Sequence, residues 1–225
     1  MVFCLENLQE KSHYEFSFYA PRVYDPRVTT KDLDKNPIKQ FEAWFNQAIQ
    51  AEILEPNAMN LATVGLDLMP SLRTVLLKMY DNNGFVFFSN YKSKKAQQLE
   101  ENPKCAASFA WLGLERQVKI EGICEKISTQ ESLKYFLGRP KGSQIGAYIS
   151  HQSQIISSRS LLEAKFNEIK TKFLKGEVPF PSFWGGYLIK PLVIEFWQGG
   201  KDRLHDRFEY RLLENNQWEI NRLEP

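Results

Sequence analysis

The chain has 225 residues, 43% of them hydrophobic and 25% charged, which is typical of a globular protein long enough to bury a substantial core. The formal net charge of +2 argues against a general nucleic-acid-binding protein, so any phosphate affinity must come from local basic clusters. Cys4, Cys105 and Cys124 lack the spacing of a zinc site or a disulfide framework and favour a reducing compartment. The sequence has neither a membrane-length apolar stretch nor a basic-then-apolar leader, so we expect a cytoplasmic protein.

The first part of the sequence differs in character from the rest. Residues 1–33 are polar and irregular, with patches of aromatic residues, and we predict an N-terminal arm here that could act as a mobile lid. Residues 34–225 contain no repeat and no convincing linker, and we predict that they form a single domain. This domain should open with a helix, because Asn36 suits the N-cap, Pro37 suits the first helical position, and apolar residues follow at helical spacing.

From about Asn60 the hydrophobic pattern takes the period of strands. Short β-branched or aromatic runs, separated by turn residues, predict strands at Leu61–Val64, Leu72–Met79, Phe85–Ser89, Cys105–Trp111, Gln117–Ile127, Tyr187–Trp197, Asp206–Leu213 and Trp218–Leu223. One helix is predicted at Lys94–Glu101 and another at Ser158–Phe173. Between them, a capping box formed by Ser128 and Glu131 predicts the start of a further helix. The pattern therefore predicts an α+β fold that is mainly antiparallel β, namely a barrel with peripheral helices.

A basic segment follows the apolar run that ends at Trp197. The run breaks at two glycines, and two arginines and a histidine come next. If the chain restarts as a strand, period-2 alternation places Arg203, His205 and Arg207 on one face. Guanidinium groups beside an imidazole suit an anionic, planar ligand that exchanges protons. The alternative is a surface strand whose arginines pair with nearby carboxylates.

Basic residues also cluster at two earlier points of the sequence. In Arg73–Lys78 a strand would carry a cation at each end of an apolar run. In Ser89–Lys95 hydroxyls and lysines meet where a helix begins, and a helix N-terminus favours phosphate through its free N–H groups. A half-buried strand with solvated ends and a solvated basic loop are the alternatives.

A third cluster combines Tyr135, Arg139 and Ser143. The first two are four residues apart on a predicted helix and should point to one side. A phenol, a guanidinium and a hydroxyl together would hold a phosphate monoester. Gln117, Gln152 and Ser153 add amide and hydroxyl groups of the kind that read the edge of a heterocycle. Paired metal-binding histidines are absent from the sequence, and we predict no metal site.

The longest specific pattern is Ile194-Glu195-Phe196-Trp197-Gln198, followed after four residues by Arg203-Leu204-His205-Asp206-Arg207. Further matching segments occur in the same order as in one family: Arg73–Lys78, Ser93–Ala96, Leu114–Val118, Arg139-Pro140, Gly142–Ala147, Gln152-Ser153 and Pro181–Gly186. On these motifs the sequence resembles the pyridoxine (pyridoxamine) 5′-phosphate oxidase family over roughly residues 36–225.

The resemblance implies a split β-barrel, the FMN-binding split barrel, that forms a homodimer with two FMN molecules at the subunit interface. It implies an enzyme that oxidises pyridoxine 5′-phosphate and pyridoxamine 5′-phosphate to pyridoxal 5′-phosphate in vitamin B6 metabolism. A hydride would pass from C4′ of the substrate to N5 of the flavin. O2 would then reoxidise the flavin to give H2O2, with ammonia released from the amine substrate.

The resemblance also implies roles for particular residues. Those implied to bind FMN are Arg73, Thr74, Val75, Leu76, Leu77, Lys78, Phe88, Ser89, Lys94, Lys95, Gln117, Gln152, Ser153, Trp197 and Arg207. Those implied to bind the substrate are Lys78, Tyr135, Arg139, Ser143, Arg203, Leu204 and His205. Of these, Arg203 and His205 would lie over the reacting carbon as the catalytic residues.

The sequence departs from the family pattern at a few positions. Lys94 stands where the family often has arginine, and Phe88 where it often has tyrosine. Arg22 and Tyr24 in the arm do not have the family's usual spacing. The competing interpretations are another split-barrel flavoprotein such as a reductase, a non-catalytic flavin- or pyridoxal phosphate-binding protein, and a nucleic-acid-binding module.

Overall fold

A computed structural model describes residues 28–150, 152–153, 156–174 and 176–225. The predicted arm, including Arg22 and Tyr24, therefore lies outside the described residues up to residue 27. Within the described ranges, no helix is both long and apolar enough to cross a membrane.

The described residues form an antiparallel sheet with helices packed around it. The strands are β1 (Ala58–Val64), β2 (Pro70–Leu76), β3 (Met79–Asp81), β4 (Gly84–Asn90), β5 (Lys104–Trp111), β6 (Arg116–Lys126), β7 (Trp184–Gln198), β8 (Asp206–Leu212) and β9 (Trp218–Leu223). The helices are α1 (Pro37–Gln50), α2 (Lys94–Glu101), α3 (Thr129–Leu137), α4 (Lys141–Ile149) and α5 (Arg159–Lys172). Three short 3₁₀ helices lie at Thr30–Asp32, Leu112–Leu114 and Lys201–Arg203.

The sheet has the order β2-β1-β5-β6-β7-β4-β3, with β8 paired to β7 and β9 paired to β8. It curls so that its two edges approach each other: directly after β2, the Lys78 amide donates a 2.8 Å hydrogen bond to the Val86 carbonyl on β4. This half-barrel with peripheral helices agrees with the predicted α+β, mainly antiparallel architecture.

Strand β7 is the longest strand and changes partner along its length. One edge pairs with β6, while the other edge pairs with β4 over Trp184–Ile189 and with β8 over Val193–Gln198. The register between β6 and β7 shifts at Glu121/Gly122, which pair with Val193 and Pro191, so Leu192 is the extra residue of a β-bulge on β7 between these two pairings. A Cβ at Gly122 would lie 2.1 Å from the Lys190 carbonyl oxygen, so this close approach requires glycine.

Helix α1 covers the hollow side of the sheet and supplies the centre of the core. Phe41 is fully buried, with ring centroids 5.2 Å from Tyr80, 4.9 Å from Phe85 and 5.1 Å from Phe109. A second, smaller core lies under α3, α4 and α5 and contains Phe136, Ile145, Ala147, Val178 and Trp184. The second core forms one wall of the site described below.

Several local predictions are confirmed. The Asn36 side chain caps α1 by accepting from the Ile38 amide at 2.8 Å, and α2 has the predicted bounds with Ser93 as its cap. The capping box of Ser128 and Glu131 begins α3. These elements follow local rules, which is why the sequence predicts them well.

One predicted strand is wrong, and so is the hypothesis of a strand that restarts at Arg203. The predicted strand Leu72–Met79 is divided between β2 and β3. After Leu76 the Leu77 amide donates to the Asn57 carbonyl, whereas the Lys78 amide donates to a carbonyl on β4. The chain does not restart as a strand at Arg203: residues Lys201–Arg203 form a 3₁₀ turn, and β8 begins at Asp206. Arg203, His205 and Arg207 therefore do not lie side by side on one strand.

The central position of Phe41 generates a stability prediction. Phe41→Ala should lower the free energy of unfolding by about 3–5 kcal/mol, because it leaves a cavity among five aromatic neighbours. Urea denaturation monitored by tryptophan fluorescence would measure this. Ile49→Ala on the same helix, at a side chain 49% exposed, is the control and should cost less than about 1 kcal/mol. Equal losses in the two variants would contradict this account of the core.

Candidate active site

A cavity of about 610 Å³ lies between the ends of β2 and β4, helices α3 and α4, and the start of β7. The predicted residues that line it are Thr74, Val75, Leu76, Lys78, Phe88, Ser89, Lys95, Tyr135, Arg139, Ser143 and Gln152. An adjoining depression of about 440 Å³ is lined by Arg73, Lys94, Lys95 and Ser153 together with Ser71 and Leu72. Lys95 borders both spaces. The structure therefore brings most of the predicted cofactor and substrate residues into one continuous region.

The N-terminal turn of α2 holds Lys95 at the boundary between the two spaces. Its Nζ donates to the Ser89 hydroxyl at 3.1 Å and to Gln152 Oε1 at 2.9 Å. The Ser153 hydroxyl accepts from the Lys94 amide at 3.2 Å, and Ser153 has a positive φ of 69°. Lys95 thus has neutral partners, which orient the ammonium group without cancelling its charge.

The cations of this region have no carboxylate partners, although Arg73 and Lys95 are partly buried. Across the described part of the chain, no carboxylate lies within ion-pair distance of Arg73, Lys94 or Lys95. Burial, together with the positive charge of the nearby Arg73, lowers the pKa of Lys95 to about 8. Burial also lowers the pKa of Arg73. Charged groups that are disfavoured in this way gain most from a bound anion.

A further cation, Arg139, lines the larger cavity. The Arg139 guanidinium stacks over Trp184, with its Cζ 4.7 Å from the ring centroid. Its buried Nη1 has no hydrogen-bond partner among the described residues. Burial lowers the pKa of Arg139. An unpaired buried donor is costly, and the phosphate or carboxylate of a ligand would satisfy it.

Aromatic rings fix the side chains around Arg139. Tyr135 stacks on Phe88 with centroids 3.8 Å apart, and Phe88 stacks on Trp184 at 5.2 Å. Burial raises the pKa of the Tyr135 phenol, which keeps it protonated as a donor. Helix α3 ends at Leu137, so Arg139 is not on the helix as predicted, although it still lines the same cavity as Tyr135.

Arg203, Leu204 and His205 lie away from this cavity, in the tight turn between β7 and β8. Asp202 and Arg203 have positive φ values of 56° and 63°, and Leu204 is 72% exposed. His205 Nδ1 accepts from the Gly200 amide at 3.1 Å, and its ring lies 4.7 Å from Trp197. An imidazole that accepts at Nδ1 carries a proton on Nε2, which is then its donor.

The remaining predicted cofactor residues lie next to this turn. Gln117, Trp197 and Arg207 are direct cross-strand neighbours on β6, β7 and β8, on the face opposite the core-facing Val118, Phe196 and Phe208. They do not line the cavity, and the buried Leu77 side chain does not line it either.

Arg207 is held by a carboxylate. It donates from Nε and Nη2 to the two carboxylate oxygens of Glu195, at 2.9 and 3.2 Å. Burial alone would raise the pKa of Glu195, but hydrogen bonds from Arg207 and Lys119 lower it below its usual value. This ion pair leaves Arg207 fixed on the outer face of the sheet.

Some cavity residues were missed by sequence reasoning: Asn90, Pro140, Gly146, Ala147, Ser150 and Trp184. Trp184 had a signal, since it lies in the segment Pro181–Gly186 that carries part of the resemblance. Asn90 follows Ser89 directly. Its side-chain Nδ2 donates to the Ser150 carbonyl at 2.8 Å, and this bond connects β4 to the end of α4.

Comparison with known proteins places this chain. A family model described as pyridoxamine 5′-phosphate oxidase matches residues 45–173, and one described as the C-terminal dimerisation region of pyridoxine 5′-phosphate oxidase matches residues 184–225. The chain belongs to the pyridoxamine 5′-phosphate oxidase family. The predicted family, and the prediction that the protein is an enzyme of this family, are confirmed.

Relatives named pyridoxine/pyridoxamine 5′-phosphate oxidase include one from Aliarcobacter butzleri, 74% identical over 87% of this chain and 92% of the relative. One from Rippkaea orientalis is 63% identical over 88% of this chain and 93% of the relative.

Solved structures confirm the predicted split-barrel fold. PhzG from Burkholderia lata, in complex with tetrahydrophenazine-1-carboxylic acid, superposes with a TM-score of 0.85 at 28% identity, covering 91% of this chain and all of PhzG. A pyridoxamine 5′-phosphate oxidase-related FMN-binding protein from Nostoc punctiforme has a TM-score of 0.71 at 13% identity, covering 86% of this chain and all of that protein.

The lowered pKa of Lys95 generates a prediction about phosphate binding. Between pH 7 and pH 9 the affinity of the apoprotein for FMN should fall about tenfold, because free Lys95 loses its proton near pH 8 while the phosphate stays a dianion. Flavin fluorescence quenching would measure the dissociation constants. Lys95→Arg keeps its charge throughout and should show a nearly flat profile over this range. A flat profile in the wild-type protein would contradict the assignment.

Proposed function

We propose that this protein is an FMN-dependent oxidase that converts pyridoxine 5′-phosphate and pyridoxamine 5′-phosphate to pyridoxal 5′-phosphate. The observation that carries the proposal is a pair of cation sites in two adjoining spaces that share Lys95: Arg73 and Lys95 form one, and Arg139 in the larger cavity forms the other. A cofactor and a substrate that are both phosphate monoesters require two such sites. The names of the relatives support the same substrates.

The residues around Lys95 suit FMN. Arg73, Lys94 and Lys95 would bind its phosphate, with Ser89, Gln152 and Ser153 orienting the cations and the ribityl chain. The backbone of Thr74–Leu77 and the side chain of Phe88 would lie along the flavin. Bound FMN would supply the redox chemistry, accepting a hydride from C4′ of the substrate at N5 and passing its electrons to O2 to give H2O2.

The residues around Arg139 suit the substrate phosphate. The unpaired Nη1 of Arg139 would donate to a phosphate oxygen, and Lys78, Tyr135 and Ser143 line the same cavity as further donors. Trp184 holds the guanidinium plane in place, so little side-chain freedom is lost on binding. The site would in this way hold the substrate ring against the flavin.

The second half of the site would come from a second copy of the chain. Trp184 and Trp197 lie near opposite ends of β7, and the strand between them spans roughly 43 Å at about 3.3 Å per residue. Arg139, stacked on Trp184, and His205, beside Trp197, are therefore poorly placed to act on one substrate within one chain. The match to a dimerisation region over residues 184–225 supports a homodimer.

In such a dimer, the turn of one copy would close the cavity of the other. Arg203 would position the substrate and favour loss of the proton from its alcohol or amine, with His205 presenting Nε2 to the same region. Gln117, Trp197 and Arg207 form one row on the sheet face and would contact the flavin from this side. Leu204 is exposed and free to cover the substrate ring.

A direct test uses the purified protein loaded with FMN. Under anaerobic conditions pyridoxine 5′-phosphate should bleach the flavin absorbance, and aeration should restore it with formation of pyridoxal 5′-phosphate and H2O2. Unphosphorylated pyridoxine should bleach it far more slowly, because Arg139 then gains no partner. A protein that cannot be loaded with FMN, or a loaded flavin that no vitamin B6 phosphate reduces, would overturn the proposal. Reduction by a phosphate-free carboxylic acid instead would favour a PhzG-like substrate.

The shared site generates a complementation prediction. Arg139→Ala and Arg203→Ala should each abolish most turnover while FMN stays bound. Unfolding and refolding the two variants together should restore about a quarter of the wild-type activity, because half of the dimers are mixed and each of these has one intact site. Steady-state assays before and after mixing would measure this. If mixing restores nothing although mixed dimers form, both residues act within one chain.

A further inference from the structure

A buried chain of polar side chains connects helix α2 to Arg73. Thr63 on β1 is 2% exposed and Gln98 on α2 is 5% exposed, although both lie beside an apolar core. Buried polar side chains are costly unless hydrogen bonded, and these two are bonded to each other, Thr63 Oγ1 to Gln98 Oε1, at 2.7 Å. The catalytic proposal above assigns a role to neither residue.

The donor and acceptor groups of these side chains fix the direction of each hydrogen bond in the network. Arginine has only donors, so Arg73 Nη1 donates to Thr63 Oγ1 at 2.5 Å and to the Leu61 carbonyl at 3.1 Å. The single hydroxyl proton of Thr63 is then left for Gln98 Oε1. The Gln98 amide nitrogen in turn donates to the Ser71 hydroxyl at 3.2 Å. Every member has one orientation that satisfies its neighbours, so the network holds one arrangement.

This arrangement fixes one edge of the Arg73 guanidinium and leaves the rest free. Both contacts of Arg73 are made by Nη1, and within the described ranges no acceptor engages Nε or Nη2. The depression that Arg73 lines also contains Lys94, Lys95 and Ser153. The free donors are therefore available to an anion bound there.

The network also ties together the two elements that carry the cations. Gln98 lies one helical turn after Lys94 on α2, whereas Arg73 lies on β2. Thr63 on β1 lies between the two elements and bonds to both. The distance between the lysines and the arginine is thus set by buried hydrogen bonds, and solvent-exposed side chains do not determine it.

We propose that Thr63 and Gln98 are positioning residues that orient Arg73 toward the phosphate of FMN. The inference rests on the proposed function, because it takes FMN as the anion. The two residues touch no ligand; they act through Arg73 by restricting its guanidinium to the geometry that receives a phosphate. A purely structural role would affect every ligand of the barrel equally, whereas a positioning role affects only ligands that carry the phosphate.

Comparison of FMN with riboflavin, which lacks the phosphate, separates these two roles. Thr63→Val keeps the shape of the side chain but cannot accept from Arg73, and Thr63→Ser keeps the hydroxyl. The dissociation constants of FMN and riboflavin would be measured on each apoprotein by fluorescence quenching, with thermal unfolding as a check of the fold. Thr63→Val should weaken FMN binding about tenfold and riboflavin binding less than about twofold, and Thr63→Ser should recover most of the FMN affinity.

A second pair of variants covers the case in which Thr63→Val does not fold. Gln98→Met removes the acceptor for Thr63, and Gln97→Met makes the same change at the exposed neighbour on the same helix. Only Gln98→Met should lower the ratio of riboflavin to FMN dissociation constants, by about threefold or more.

Equal losses for FMN and riboflavin, or unchanged FMN binding in both Thr63→Val and Gln98→Met, would overturn the inference while leaving the proposed function intact. Failure of the wild-type apoprotein to bind FMN would overturn both.

Discussion

Strand β7 is the constraint on which the rest of the structure depends. It pairs with β6 along one edge and with β4 and then β8 along the other, so three strands are placed relative to one another through it. The change of partner coincides with the bulge at Leu192, and the neighbouring Pro191 has no N–H to give to a ladder. Gly122 admits the Lys190 carbonyl at this point. The irregular pairing of β6 with β7 therefore occurs beside the one residue of β7 that cannot donate a backbone hydrogen bond.

The geometry of β7 has a direct consequence for the chemistry. Trp184 at its start supports the Arg139 guanidinium, while Trp197 near its end supports the His205 ring. One continuous strand thus carries the supports for both proposed halves of the site and also keeps them apart. In the proposed homodimer a second copy of the chain would resolve this conflict, with the end of its β7 approaching the start of the first. Dimerisation on this view is a condition for assembling the site and adds more than stability.

The charged groups around the cavity also lack ion-pair partners within the described part of one chain. Arg73, Lys95 and Arg139 are partly buried, and no described carboxylate pairs with them, whereas Arg207 outside the cavity is paired with Glu195. Burying an unpaired cation destabilises the empty protein, and a ligand phosphate reverses that cost. A ligand that binds only the folded state also stabilises it in proportion to its concentration over its dissociation constant. We therefore expect the cavity to bind dianions more tightly than neutral rings of the same shape.

Local signals made much of this predictable from sequence. The caps of α1, α2 and α3 depend on residues a few positions apart, and the basic clusters of Arg73–Lys78 and Ser89–Lys95 lie on neighbouring parts of one site. The turn before β8 was not predictable in this way. Its alternating residues suggest a strand, but the chain folds back at Gly200. A Cβ at this position would clash with the Leu204 carbonyl oxygen, so the turn requires glycine.

Long-range contacts escaped the sequence for a different reason. Helix α4 has two glycines that obscure its limits, and Trp184 is recognisable as a cavity residue only once β7 is paired with β4. Likewise, the burial of Thr63 and Gln98 depends on β1 meeting α2, which no periodicity reports. The residues that touch a ligand could be proposed from motifs, whereas those that hold them in place required the fold.

The stack around Phe88 shows why these supporting residues matter. The family often has tyrosine here, and the sequence alone suggests the loss of a hydroxyl contact to FMN. In the structure the Phe88 ring lies against both Tyr135 and Trp184, so the ring itself performs a supporting function that needs no hydroxyl. Tyr135 and Arg139 are each packed against an aromatic face before any ligand arrives. Ordering these flexible side chains during folding lowers the entropy lost on binding, and it leaves their polar ends as the groups that recognise a phosphate.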